Sequence, residues 1–313
     1  MKSILLYAVV NVLVILLLAP LYLSLIKKVK AKTQRRKGPL LLQSYYNLFK
    51  LFKKEAVYSQ NSSWIMRVSP YLNIVCLLVA ALFVPILFIP ATGSWLGNII
   101  LFLYLLALAK FFMALGGLDA GSTFGGMGSS REMTLSSLVE PVAILVFAAL
   151  AFVFQSTNFF DIFRQTIQST PAEVNPSLVL LGISLFIVLI TETARVPVDN
   201  PETHLELTMV HEAMILEQSG RNLALLEISA SIKQLLLMGI LINVFLPWGL
   251  SPKAAVWGMA ISLGLFLVKS TFLAVFMGLF ESYFAKLRLF RLPILYSLAF
   301  FLTLITIFLE VLL

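Results

Sequence analysis

Of the fifteen Asp and Glu residues in the chain, Glu192, Asp199, Glu202, Glu206, Glu212, Glu217 and Glu227 all lie between positions 192 and 227. Carboxylates concentrated at the end of an apolar run can bind cations or take up and pass protons. Spacing allows the second. Glu202 and Glu206 are four apart, so on a helix restarting at Pro201 they share one face, where two like charges in a low dielectric hold a proton between them. Arg195 and Arg221 offset only part of this charge. The alternative is an ordinary solvated loop. His204 and His211 are seven apart, but no third residue stands at metal-ligand spacing, and no metal is expected on this chain.

Ionisable residues also occur inside apolar segments. Glu140 adjoins Pro141, which is expected to open a span at its first helical position. Lys233 begins one span and Lys269 lies within another. A charge near the bilayer centre costs roughly 2.5 to 3.5 kcal/mol, so such residues face protein or water and are functional candidates by default. Lys233 is close enough to an end to snorkel instead.

The elements that position these residues follow from composition. The chain of 313 residues is 60% hydrophobic and 12% charged, with a mean hydropathy of +0.96. Soluble domains carry roughly a quarter charged residues, so this is an integral membrane protein. Segments of roughly 20 apolar residues can cross a bilayer, and eight are counted, near 3–26, 68–90, 96–117, 138–155, 177–194, 231–249, 254–280 and 293–313. With no water to satisfy the backbone, the fold class is all-α, a polytopic helical bundle forming a single membrane domain over 1–313.

Seventeen of the 23 basic residues fall in the segments 27–67, 118–137, 195–230 and 281–292. Positive charge marks the inner side, so these are expected to be cytoplasmic loops, with the N-terminus outside and the protein in the cell inner membrane. The first run reads as an uncleaved anchor. The net charge of +8 therefore reports topology, and no nucleic-acid partner is implied. In the first loop, Leu41 to Lys54 reads as an amphipathic interfacial helix, with Leu41, Leu42, Tyr45, Leu48, Phe49 and Phe52 on one side and Lys50, Lys53 and Lys54 towards the other. Residues 116–132 hold six glycines and read as a loop packed closely on a partner or acting as a flexible gate.

One cysteine, Cys76, cannot hold an iron–sulfur cluster, which takes about four ligands, so any redox centre belongs to another subunit. No nucleotide-binding or zinc-protease motif is present, and the chain shows no catalytic site of its own.

Two groups of residues then carry a family resemblance. Gln34-Arg35-Arg36, Gly38-Pro39, Gln43, Leu48, Lys50-Leu51 and Lys54-Glu55 resemble the first loop of the subunit 1 family of respiratory complex I and its hydrogenase relatives. Glu192, Arg195, Pro197, Asp199, Glu202, Glu206-Leu207 and Glu217 to Gly220 resemble that family's acidic loop. The motifs 117–122, 130–132, 138–141, 233–235, 280–282 and 285–289 look closer to the membrane anchor subunits of formate hydrogenlyase and hydrogenase-4.

The resemblance implies a subunit without catalytic residues, placed between a peripheral redox arm and antiporter-like subunits, in an oxidoreductase complex of hydrogenase or quinone reductase type. Glu140, Glu192, Glu202 and Glu206 would line an acidic proton channel, and Asp199 with the span lysines Lys233 and Lys269 is assigned to the same pathway. Gln34, Arg35, Arg36, Gly38, Pro39, Lys50, Asp119, Arg131, Arg195, Glu217 and Glu281 would form the cytoplasmic interface. The implied partners are antiporter-like membrane subunits, hydrogenase-like large and small subunits, iron–sulfur proteins and membrane lipids. Iron–sulfur clusters, and a nickel–iron centre where the complex is a hydrogenase, would sit on those partners. Quinone is the alternative, and the departures at Asn47, Val198, His204 and Gln218 argue against it. An independent transporter would break helices and bury acids in the same way, but usually repeats its motif, and the 191–206 pattern occurs once.

Overall fold

The computed structural model describes residues 2–90, 96–168, 176–200, 209–251 and 256–312. Eleven α-helices occur among them: α1 (Lys2–Thr33), α2 (Gln43–Phe52), α3 (Trp64–Ala81), α4 (Ile99–Asp119), α5 (Thr123–Val153), α6 (Phe159–Gln168), α7 (Pro176–Glu192), α8 (His211–Ile215), α9 (Gly220–Phe245), α10 (Val256–Tyr283) and α11 (Leu292–Leu312). Helices α1, α3, α4, α5, α9, α10 and α11 are long and apolar enough to cross a membrane, and α7 is a shorter apolar helix of 17 residues. At 1.5 Å per residue α7 is about 25 Å long, near the lower limit for a span. The protein is thus a polytopic helical membrane protein.

Helix α9 is the hub. It packs against α1, α2, α3, α7 and α10, and two-thirds of its most apolar window is buried. Helices α3 and α4 pair on one flank, α1 and α10 on another, and α5, α7 and α11 form a third group that touches α9 through α7. Many residues on the outer faces of α1, α10 and α11, such as Leu5, Trp257, Val268, Phe301 and Phe308, are exposed apolar side chains. That is the expected surface of a bundle solvated by lipid.

Several boundaries depart from the hydropathy reading. The glycine-rich segment 118–137 is helical from Thr123 onward, and α5 runs through it without a break, so Pro141 is an interior residue rather than a helix start. Ser122 caps the helix through its hydroxyl, which accepts from Gly125 N at 3.0 Å. Glycine serves close packing here: a Cβ on Gly128 would lie 2.8 Å from Ala213 Cβ and from the Met214 amide. The first helix continues through the Lys27, Lys28 and Lys30 cluster to Thr33, and α9 begins at Gly220, eleven residues before the expected start at 231. Helix α3 stops at Ala81, and the apolar residues 83–89 are buried without forming a helix. The stretch expected to be an interfacial helix is helical over Gln43–Phe52 as α2, but only Leu48 is buried; Phe49 is exposed.

Helices α1, α5 and α7 end in the same way. In each, the residue two past the last helical one has positive φ: Arg35 at 58°, Gln155 at 48° and Ala194 at 49°. The following amide then reaches back to the fifth preceding carbonyl, Arg36 N to Ala31 O at 2.8 Å, Ser156 N to Ala151 O at 3.0 Å and Arg195 N to Ile190 O at 3.0 Å. This paired closure satisfies the last carbonyls of a helix and normally uses glycine. At α7 it turns the chain sharply just beyond Glu192 and folds Arg195 and Asp199 back into the bundle.

Candidate functional site: a buried ion-pair network

Glu192, the last residue of α7, is the centre of one charged group. Its carboxylate lies 2.8 Å from Lys110 Nζ of α4 and 3.1 Å from Lys233 Nζ of α9. Lys110 also lies 3.9 Å from Glu140 of α5. Lys110 and Glu192 are each 6% exposed, whereas Glu140 is 42% exposed. Four helices therefore each supply one charge to this group. Lys233 does not snorkel; it is turned inward onto Glu192.

A second group lies beyond the turn after α7. Arg195 Nη1 is 3.0 Å from Glu281 Oε1 of α10, and its Nη2 donates to Gln234 Oε1 of α9 at 2.5 Å. Lys30 of α1 is 3.5 Å from the other oxygen of Glu281. Asp199 pairs with Lys286 at 2.5 Å and accepts the amides of Val210 and His211 at 3.3 and 3.1 Å. Buried charges survive only when paired and hydrogen-bonded, and removal of one partner leaves the other uncompensated. Both groups meet that condition.

Several cavities run along these groups among the described residues. A space of about 20 Å³ is walled by Lys110, Glu132, Ser136, Glu192, Asp199 and Tyr296, among others, and so touches both groups. A crevice of about 210 Å³ between α4 and α5 has apolar walls, including the exposed Ile100, Tyr104 and Ile144, and carries Lys110, Glu140 and Glu192. A third, of about 160 Å³, lies between α1, α2 and α9 and includes Arg195, Asp199, His211, Glu212 and Glu227 in its lining.

Of the expected channel residues, Glu140, Glu192 and Lys233 are brought together, and Asp199 sits across the small cavity from them. Lys269 is elsewhere. Its Nζ donates to the carbonyls of Leu246 and Trp248 at 2.7 and 2.6 Å, at the far end of α9. Phe245 lies about 18 Å along the axis from Lys233. Glu202 and Glu206, with His204, lie outside the described residues. Among the described residues no cluster of three His, Cys, Asp or Glu side chains could hold a metal.

The expected interface residues divide as well. Gln34, Arg35, Arg36, Gly38 and Lys50 are exposed, Pro39 is half-buried, and Glu217 is half-buried in the turn before α9. Arg195 and Glu281 are instead buried within the second group, at 3% and 5% exposure. Asp119 is a cap: it accepts from the Ser63 hydroxyl at 2.6 Å and from the Ser63 and Met66 amides at 2.9 Å each, fixing the start of α3 to the end of α4. Arg131 donates to the Met209 carbonyl at 2.9 Å. Lys110 and Glu132 are site residues that the sequence reading missed. A lysine inside an apolar run was signal enough for the first.

A multi-pass bundle whose interior carries a network of paired charges defines a membrane protein built to hold ionisable groups away from lipid. The chain belongs to the NADH dehydrogenase family, the subunit 1 type of complex I, whose model matches residues 6–311. It is similar to formate hydrogenlyase subunit 4 of Escherichia coli K12, 33% identical over 91% of each chain. It is also similar to hydrogenase-4 component C of the same organism, 32% identical over 90% of this chain and 88% of that one. NADH-ubiquinone oxidoreductase chain 1 of Yarrowia lipolytica is 31% identical over 58% of this chain and 54% of its own length. A chain in the solved structure of the membrane-bound sulfane sulfur reductase, an archaeal respiratory membrane complex, shares the fold, with a TM-score of 0.83 at 18% identity over 98% of this chain and 99% of that one.

Proposed function

We propose that this chain is the membrane anchor and coupling subunit of a complex I-like or energy-converting hydrogenase complex. The carrying observation is that the charged groups form a series, from Asp199 and Lys286, past the small cavity, to Glu192 and Lys110, and on to the half-exposed Glu140. A carboxylate shared by two lysines holds its charge only while both stay near. A shift of the loop carrying Arg195 and Asp199 would redistribute those pairings, so that a redox event on a docked arm changes proton occupancy inside the membrane. Glu140, on the wall of a crevice whose outer face is apolar, is the point from which a neighbouring membrane subunit receives the change.

In this reading the basic end, with α2 and the exposed Gln34 to Gly38 segment, faces the cytoplasm and docks the peripheral hydrogenase-like and iron–sulfur subunits. The N-terminus lies outside, the host is the cell inner membrane, and antiporter-like subunits sit beside the bundle. Similarity to subunits of formate hydrogenlyase and hydrogenase-4 supports a nickel–iron centre on a partner.

Quinone binding is the second reading, and the cavity beside α1 and α2 speaks for it. At about 160 Å³ it is smaller than the roughly 300 to 1,000 Å³ usual for such ligands, and carboxylates and lysine line it. The hydrogenase reading is preferred. Extraction of the tagged chain in mild detergent, with mass spectrometry of bound subunits and metal analysis, tests the assembly. An iron-rich complex with antiporter-like subunits is expected, with nickel placing it among hydrogenases. A folded chain recovered alone and free of metal would overturn the reading.

A further inference from the structure

Among the described residues, buried hydroxyl groups are almost all satisfied. Ser184, Thr191, Ser229, Ser262, Thr303 and Thr306 each donate to the carbonyl four residues back, the usual solution for Ser and Thr inside an apolar helix. The buried Tyr7 hydroxyl donates to Leu82 O at 3.0 Å, and Tyr22 bonds Ser270. Ser136 and Tyr296 break the pattern. Each is 3% exposed, and neither hydroxyl has a protein partner. Among the described residues three buried side-chain polar atoms lack a partner, and these are two of them.

Both line the same space, the cavity of about 20 Å³ between the two charged groups. A buried hydroxyl without a partner costs about 1 to 3 kcal/mol, and Ser136 could avoid that cost by bonding back along α5. A cavity needs at least about 10 to 15 Å³ measured in this way to accept one water, and the water needs two to four polar partners. The space has room for one water, and its wall offers both hydroxyls together with carboxylates of Glu132, Glu192 and Asp199. It is far too small for an organic ligand.

We propose that Ser136 and Tyr296 hold one ordered water in this cavity and that this water carries the proton between the Asp199 group and the Glu192 group. The water accepts a proton from the carboxylic acid on one wall and gives a different proton to the carboxylate on the other. One proton moves, the water is regenerated and no redox change occurs. Ser136 and Tyr296 are positioning residues: they orient the water and take no proton themselves. The relay rests on the coupling reading above, whereas the water site stands on the geometry alone.

The test has two arms, both on the assembled parent complex. A cryo-EM map that resolves ordered waters should show density within hydrogen-bond distance of both Ser136 Oγ and Tyr296 Oη; absence of that peak overturns the site. In inverted membrane vesicles driven by reduced methyl viologen in the presence of the complex's acceptor, Ser136→Ala/Tyr296→Phe should lower interior acidification per electron by at least about fivefold, the loss of two net hydrogen bonds at the low end of their range. Electron transfer and complex yield should be unchanged. Acidification per electron equal to wild type in this double variant overturns the relay. Glu192→Gln, assayed in parallel, separates the two ideas. Loss of coupling in Glu192→Gln but not in the double variant sinks the relay alone, and normal coupling in both sinks the coupling reading with it. The wild-type water peak requires no variant to fold.

Discussion

Lys233 and Gln234, consecutive on α9, reach two different charged groups: Lys233 contacts Glu192 at 3.1 Å and Gln234 contacts Arg195 at 2.5 Å. Successive residues on a helix point about 100° apart, so the central helix holds both sides of the turn after α7 at once. Movement of that turn cannot disturb one group without straining the other.

Removal of either lysine from Glu192 should be costly. Lys110→Met is expected to destabilise the assembled complex by about 3 to 5 kcal/mol, because the buried Glu192 loses one of the two cations that pair with it. The double variant Lys110→Met/Glu192→Gln should recover part of that loss. Thermal unfolding in detergent checks this, and additive losses would show that the pair is not coupled.

The turn itself can be probed through Ala194, which holds a φ of 49° that favours glycine. Ala194→Gly should leave stability unchanged or raise it by up to about 1 kcal/mol, whereas Ala194→Val should lower it and displace Arg195. Protease sensitivity of the turn, compared across the three proteins, reports the displacement. Equal behaviour of the Gly and Val variants would contradict the closure described.

Asp119 is expected to act on folding alone. Asp119→Ala removes three hydrogen bonds from the start of α3 and should cost about 1 to 2 kcal/mol. Coupling per electron in the surviving complex should stay at the wild-type value; an uncoupled but fully stable variant would move Asp119 into the proton path.

Lys269→Met should behave in the same way, since its ammonium satisfies two carbonyls at the end of α9 and pairs with no acid of the network. A loss of stability of about 1 to 2 kcal/mol with intact coupling is expected, as for removal of a charged hydrogen-bond donor at a helix C-terminus. Complete uncoupling at normal yield would restore it to the channel.

The membrane class and the amphipathic helix of the first loop were legible because hydropathy and helical periodicity act locally, whereas Glu192 was singled out for an inward role only through the family resemblance. What stayed hidden depended on contacts between helices. Glu132, Ser136 and Glu140 stand at four-residue spacing on one face of α5, but six glycines in 116–132 disguised the helix as a loop. Glycine lowers helix propensity in water, yet here it admits α8 against α5, and packing decides. Arg195 and Glu281 looked like surface charges because neither sequence neighbourhood shows the partner that buries it. Nothing in the apolar run of α4 revealed that Lys110 would meet Glu192, a residue 82 positions away.

Proton movement per electron in the Glu192→Gln complex tests the central claim most directly. In inverted vesicles carrying the assembled complex, acidification per electron should fall about tenfold while electron transfer continues, since the neutral amide cannot take up or release a proton at the junction of α4, α7 and α9. Acidification at the wild-type ratio, in a complex of normal composition, would contradict the account.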